Sequence, residues 1–436
     1  MKFFFYSLFL LCGTLYSQSL SVYTPIDTNN IKRKEVLRYL TGRTQEVEKK
    51  LHGLPSSNKK IIKKFAKSRK EMLEELTSGS TLVYDAELED YLNSVLTKLA
   101  DANGLDSRLL KVFLSRDTQP NAFSMGDGNF VFNISLLNRL ENEDELYFIM
   151  GHELAHYQLK HFEKQMISKM ELSDSDEYKA REKMLKKTKY RKFTTSVALY
   201  REFVYDDRAE GRKKELEADA TGYAYVKNIV ADPANILTAL EKLDTLSPSE
   251  LYKIDLNFLK EHFSSDNMPF EDEWANGYDF SKYNYQRGKV DIFGISKDSM
   301  RSHPEKQERI SKLSKLINIT GATPIKKVDG LKILKEKLAM EDVYAHYCLQ
   351  EYGRGIYLIL QIQQARELSD TEKQFYSHML GLFYEKLAEA RKIYEFKKYV
   401  DDVDFINYSQ EYILFLTILD NMRSSQLSEL SNKYRI

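Results

Sequence analysis

The stretch "NEDELYFIMGHELAHYQLKH", residues 142–161, holds three of the chain's eight histidines. Apolar residues recur near a 3.6-residue period from Leu136 to Phe162, so the whole run reads as helix. On a helix His152 and His156 are one turn apart. Both imidazoles then leave the same face and can reach one metal ion at about 2.0–2.1 Å. Glu153 sits beside them, where its carboxylate can take a proton from a metal-activated water. This is the His-Glu-x-x-His arrangement. The competing reading is a core helix whose histidines are satisfied by packing.

A catalytic zinc wants three protein ligands and one open position, so a third donor should lie downstream on another element. In "GRKKELEADATGY", residues 211–223, Glu215 and Asp219 are four apart on a predicted helix and share a face. We assign Glu215 as the third ligand and Asp219 as the acceptor that fixes a ligand imidazole. Glu217 points about 160° away from that face on an ideal helix.

Lys and Arg number 65 against 65 Asp and Glu, so no global field argues for nucleic acid. The opening "MKFFFYSLFLLCGTLYSQS" has one lysine, an apolar run and then small or polar residues. It reads as a signal peptide over residues 1–19, with an anchor that stays as the alternative. Removal would take Cys12 with it, leaving Cys348 as the sole thiol. A large exported chain without disulfides suits a bacterial periplasm or cell envelope. No later apolar run is long enough to span a bilayer, so only peripheral membrane contact is expected.

Residues 20–78 read as an N-terminal helical segment broken at "GLPSSN" (53–58). An amphipathic helix with Leu88, Leu92, Val95, Leu96 and Leu99 on its apolar face follows. Two strands are predicted next, "LKVFLS" (110–115) and "NFVFNIS" (129–135), the second after a glycine-rich turn at 126–128. A basic helical insertion covers about residues 160–210, and "REKMLKKTKYRK" (181–192) within it reads as a solvated helical hairpin or a contact for an anionic partner. Residues 247–300 read as long, aromatic-rich loops, of the kind that form lids near catalytic centres. From residue 319 to 436 the chain reads as helical hairpins, with a Leu380, Gly381 and Tyr384 step reminiscent of tetratricopeptide helices.

The runs "NAFSMGDGNFVFNISLL", "NEDELYFIMGHELAHYQLKH" and "RKKELEADATGY", in that order, resemble the zinc metallopeptidases that include the HtpX heat-shock protease and the CAAX prenyl endopeptidase. Within that family they look most like the soluble periplasmic members with a helical tail. The resemblance implies a mainly α fold with a small β-sheet, an α+β zincin catalytic domain over residues 79–318, and a C-terminal helical-hairpin tail. It also implies one Zn2+ per chain on His152, His156 and Glu215, with Glu153 as general base. "SHPEKQERI" (302–310) is similar to the segment closing the family's catalytic domain. His303 there is expected to cap the open zinc position or donate to the oxyanion, or simply to start a helix before Pro304. Two departures stand out: Gly211 replaces a serine common in the family, and the transmembrane helices of some members are missing.

The expected activity is endoproteolysis of unfolded or misassembled envelope proteins, with substrate added as a β-strand beside Phe130, Val131 and Phe132 acting as an edge. The alternative is a gated or non-proteolytic chaperone or assembly factor that binds an envelope protein through its helical tail.

Overall fold

The computed structural model describes residues 30–54, 58–78, 81–172, 208–243, 254–275, 306–317, 329–405 and 408–435. The expected signal peptide, the basic run at 181–192 and His303 lie outside them. The described chain is mainly helical with one small four-stranded sheet.

The sheet contains β1 (Leu82–Val83), β2 (Lys111–Ser115), β3 (Ala122–Ser124) and β4 (Asn129–Asn133) in the order β1-β2-β4-β3. β2 and β4 run parallel, Phe113 opposite Val131, and the outer pairings are antiparallel. Alternation along β4 sends Phe130 and Phe132 to one face and Val131 to the other, and both faces are buried. On the first face pack α3 (Ala86–Ala102) and α5 (Glu143–Gln158). The second is covered by the hairpin α1 (Asn30–His52) and α2 (Lys59–Leu76), through Leu40, Phe65 and Met72.

β4 is therefore an interior strand, which corrects the expectation that Phe130, Val131 and Phe132 form an edge for substrate. Its backbone groups are spent on β2 and β3. Among the described residues the outer strand beside it is β3, whose three residues are themselves buried. The glycine turn between them is clamped from the hairpin: Arg69, fully buried, donates to Met125 O at 2.8 Å and to the Asp127 carboxylate. Gly128 has φ +92° and a Cβ there would lie 2.5 Å from Leu109 O, so only glycine fits.

The predicted single helix from Leu136 to Phe162 is interrupted. α4 (Ile134–Arg139) stops before α5, whose N-terminus is capped by the Asn142 side chain accepting from Glu145 N at 3.0 Å. Lys160, with φ +55°, turns the chain again before α6 (His161–Leu172). After residue 207 come α7 (Arg208–Val226) and α8 (Ala234–Leu243).

Residues 254–275 are not a bare loop either. They form α9 (Leu256–His262) and a short 3-10 turn, and Ile254, Leu259, Phe263 and Trp274 join the core of the C-terminal helices. Buried His262 holds them there, its two ring nitrogens 2.6 Å from Tyr384 OH and 2.7 Å from Tyr434 OH. α10 (Lys306–Leu316) returns to the sheet side.

The C-terminal part is α11 (Gly330–Cys348), α12 (Tyr352–Ala365), α13 (Asp370–Lys392), α14 (Gln410–Asn421) and α15 (Ser424–Lys433). α11 belongs to both cores: Leu331, Leu334 and Leu338 pack with the sheet side, Met340 and Val343 with the tail. At the junction Arg116 and Glu341 form a fully buried ion pair at 2.9 Å.

Candidate metal centre

The close approach of α5 and α7 sets the site, and two glycines allow it. Gly151 precedes His152, and Gly222 lies three residues beyond Asp219. A Cβ on Gly222 would stand 2.9 Å from His152 N, and one on Gly151 would stand 3.1 Å from Gly222 O. Any side chain there would push the helices apart. With them together, Glu215 on α7 faces His152 and His156 on α5.

His152, His156 and Glu215 are buried, and one donor atom from each lies within 4.8 Å of the others. The two Nε2 atoms are 3.0 Å apart, and Glu215 carboxylate oxygens lie 3.4 Å from each. Ligands on a tetrahedral zinc at 2.0–2.1 Å are separated by about 3.3 Å, so this donor set fits one zinc ion. Burial opposes charge on the His152 ring, but hydrogen bonds and charge from Asp219 and Glu215 outweigh it and hold its pKa up at about 9. The carboxylates thus favour positive charge at this point. Glu153, the next residue on α5, is buried beside it.

Each imidazole is held from behind. His152 Nδ1 is 3.0 Å from Asp219 Oδ1, and Asp219 accepts two bonds from Arg309, at 2.8 and 2.7 Å. Burial alone would raise the Asp219 pKa, and the Arg309 guanidinium brings it below the ordinary carboxylate value. Arg309, on α10, also comes within 3.6 Å of Glu215. Behind His156 lies His161, Nδ1 to Nδ1 at 3.0 Å, and beyond it Glu217, 3.3 Å from His161 Nε2.

The structure thus brings together His152, His156, Glu215 and Asp219, with Glu153 adjacent. Phe130, Val131 and Phe132 lie in the sheet interior, and His303 is outside the described residues. Arg309 and His161 have no ligand role in the sequence reading, although both lie inside quoted motifs. Arg309 was reachable only as part of "QERI", 90 residues from its partner Asp219.

A buried three-donor centre on two helices, beside a small sheet, is the frame of a mononuclear metallohydrolase. A family model described as peptidase family M48 matches residues 86–317, more than half of the 436 residues. The chain belongs to peptidase family M48. It is also similar to the beta-barrel assembly-enhancing protease of Yersinia pestis, 29% identical over 100 residues, which are 23% of this chain and 20% of that protein. The protein of the same description from Escherichia coli K12 is 28% identical over 92 residues, 21% of this chain and 19% of that protein. The matched segment spans about a fifth of the length of these curated relatives.

Proposed function

We propose that the chain is a zinc metalloendopeptidase of the cell envelope that cleaves unfolded or misassembled proteins. The observation that carries this reading is the buried His152, His156 and Glu215 set with Glu153 beside it, in a chain of family M48. Bound there, zinc would polarise the scissile carbonyl and acidify the attacking water. Glu153 takes the proton from that water and returns it to the leaving amine. Asp219 keeps the His152 proton on Nδ1, leaving Nε2 as the donor towards the centre, and Arg309 holds Asp219 ionised.

The edge that receives substrate is β3. Met125 N donates to Asn129 O and Asn133 N to Asn121 O, so residues 121 and 125 bond inward to β4. By alternation, Ala122 and Ser124 turn their N–H and C=O groups away from β4. A peptide added there is recognised through its backbone, which suits substrates defined by being unfolded. The relatives' description as assembly-enhancing proteases supports an envelope location and protein substrates. Among the described residues, no helix is long and apolar enough to cross a membrane. The C-terminal helices would then supply the contact with an envelope partner.

Incubation of the full chain with unfolded casein tests the reading: chelator-sensitive cleavage at many different sequences is expected. Cleavage at one tightly defined sequence would count against recognition through the backbone. No cleavage by a zinc-loaded protein would favour the chaperone alternative.

A further inference from the structure

We propose that His161 and Glu217 form a hydrogen-bond relay that fixes the ring of His156 for metal binding, the counterpart on that side of Asp219 and Arg309 on His152. This rests on reading His152, His156 and Glu215 as a metal centre.

Chain geometry places His161 there for a reason. Five residues along an unbroken helix, it would lie about 140° around from His156 and face away. The left-handed turn at Lys160 ends α5 and starts α6, and His161 swings back to put Nδ1 3.0 Å from His156 Nδ1. The rings meet edge to face, centroids 4.9 Å apart. His161 is 1% exposed, so water does not satisfy its nitrogens.

The proton positions then follow in one direction. Giving Nε2 to a metal puts the His156 proton on Nδ1, which must donate. His161 Nδ1 must therefore accept, so its own proton sits on Nε2 and points to Glu217 Oε2 at 3.3 Å. Every buried ring nitrogen has a role, and no alternative tautomer of His161 satisfies both contacts. Unlike the Asp219 arm, this one ends in a carboxylate 41% exposed. The His156 arm opens to solvent and the His152 arm is sealed. Both residues are positioning residues, since they act on the centre through His156.

The test is zinc affinity of the full chain, measured by competition with a chromophoric chelator, in wild type, His161→Phe, Glu217→Gln and the double variant. Phenylalanine keeps the ring volume and removes the acceptor, and affinity should fall about 10- to 100-fold. Glu217→Gln should cost less, about threefold, because the amide oxygen still accepts. In the His161→Phe background, Glu217→Gln should cost nothing further, a coupling that a merely structural role would not produce. Affinity of His161→Phe within about twofold of wild type, or undiminished cost of Glu217→Gln in its background, overturns the relay. If His161→Phe does not fold, Glu217→Gln alone decides, and unchanged zinc affinity overturns it. Wild type that binds no zinc would instead sink the metal-centre reading beneath it.

Discussion

At Gly222 the absence of a side chain sets the distance between the two helices that carry the metal donors. Gly222→Ala puts a methyl group 2.9 Å from His152 N, and a helix backbone cannot yield as a flexible side chain can. We expect a stability loss of about 1–3 kcal/mol in denaturant titration, together with weaker zinc retention. His262 gives a prediction of a different kind. Burial, aided by Lys433, pushes its pKa down to about 3, so the folded protein keeps it neutral while the unfolded chain protonates it near its ordinary value of 6.5. A depressed folded pKa means that stability is fully present above about pH 6.5 and is lost as pH falls towards 3. His262→Gln should flatten the pH dependence of the denaturation midpoint across that window. That His152 shares a face with His156, and Glu215 with Asp219, was legible because four-residue spacing on a helix is a local fact. Arg309 was not, because its partner is distant in sequence and only packing brings α10 to α7.

Between residue and whole chain, the strands show where sequence patterns stop. Their alternation was visible, but alternation does not give strand order, and order decides which strand is an edge. β4 lies between β2 and β3, so the proposed substrate role rests on β3. Its N–H at Ala122 points away from the β3–β4 ladder, so proline there spares the ladder, although its ring must fit a buried position. Ala122→Pro should leave zinc content unchanged and lower casein cleavage severely, read by gel and metal analysis on the same sample. Cleavage at the wild-type rate would take β3 out of the account. Residues 254–275 misled in the opposite direction: short polar and aromatic runs look like loop, yet their aromatics are what docks them on α13 and α15. Composition without periodicity could not distinguish a lid from a segment packed on distant helices.

For the molecule as a whole, the C-terminal helices are joined through α11 to the core that carries the sheet and α5. α11 contributes to both hydrophobic cores, and the Arg116–Glu341 pair sits where they meet, with both side chains at most 1% exposed. Glu341→Ala leaves a buried guanidinium without its carboxylate and should destabilise the protein by about 3–5 kcal/mol, in a single transition that carries both parts with it. Two separate transitions would contradict that coupling. The central claim, that this scaffold holds zinc for peptide hydrolysis with Glu153 as base, is tested most directly by Glu153→Gln. The variant and wild type are assayed side by side for zinc per chain and for cleavage of unfolded casein. About one zinc in each protein is expected, with chelator-sensitive cleavage in wild type only. Equal cleavage by both, or loss of zinc from the variant, would contradict it.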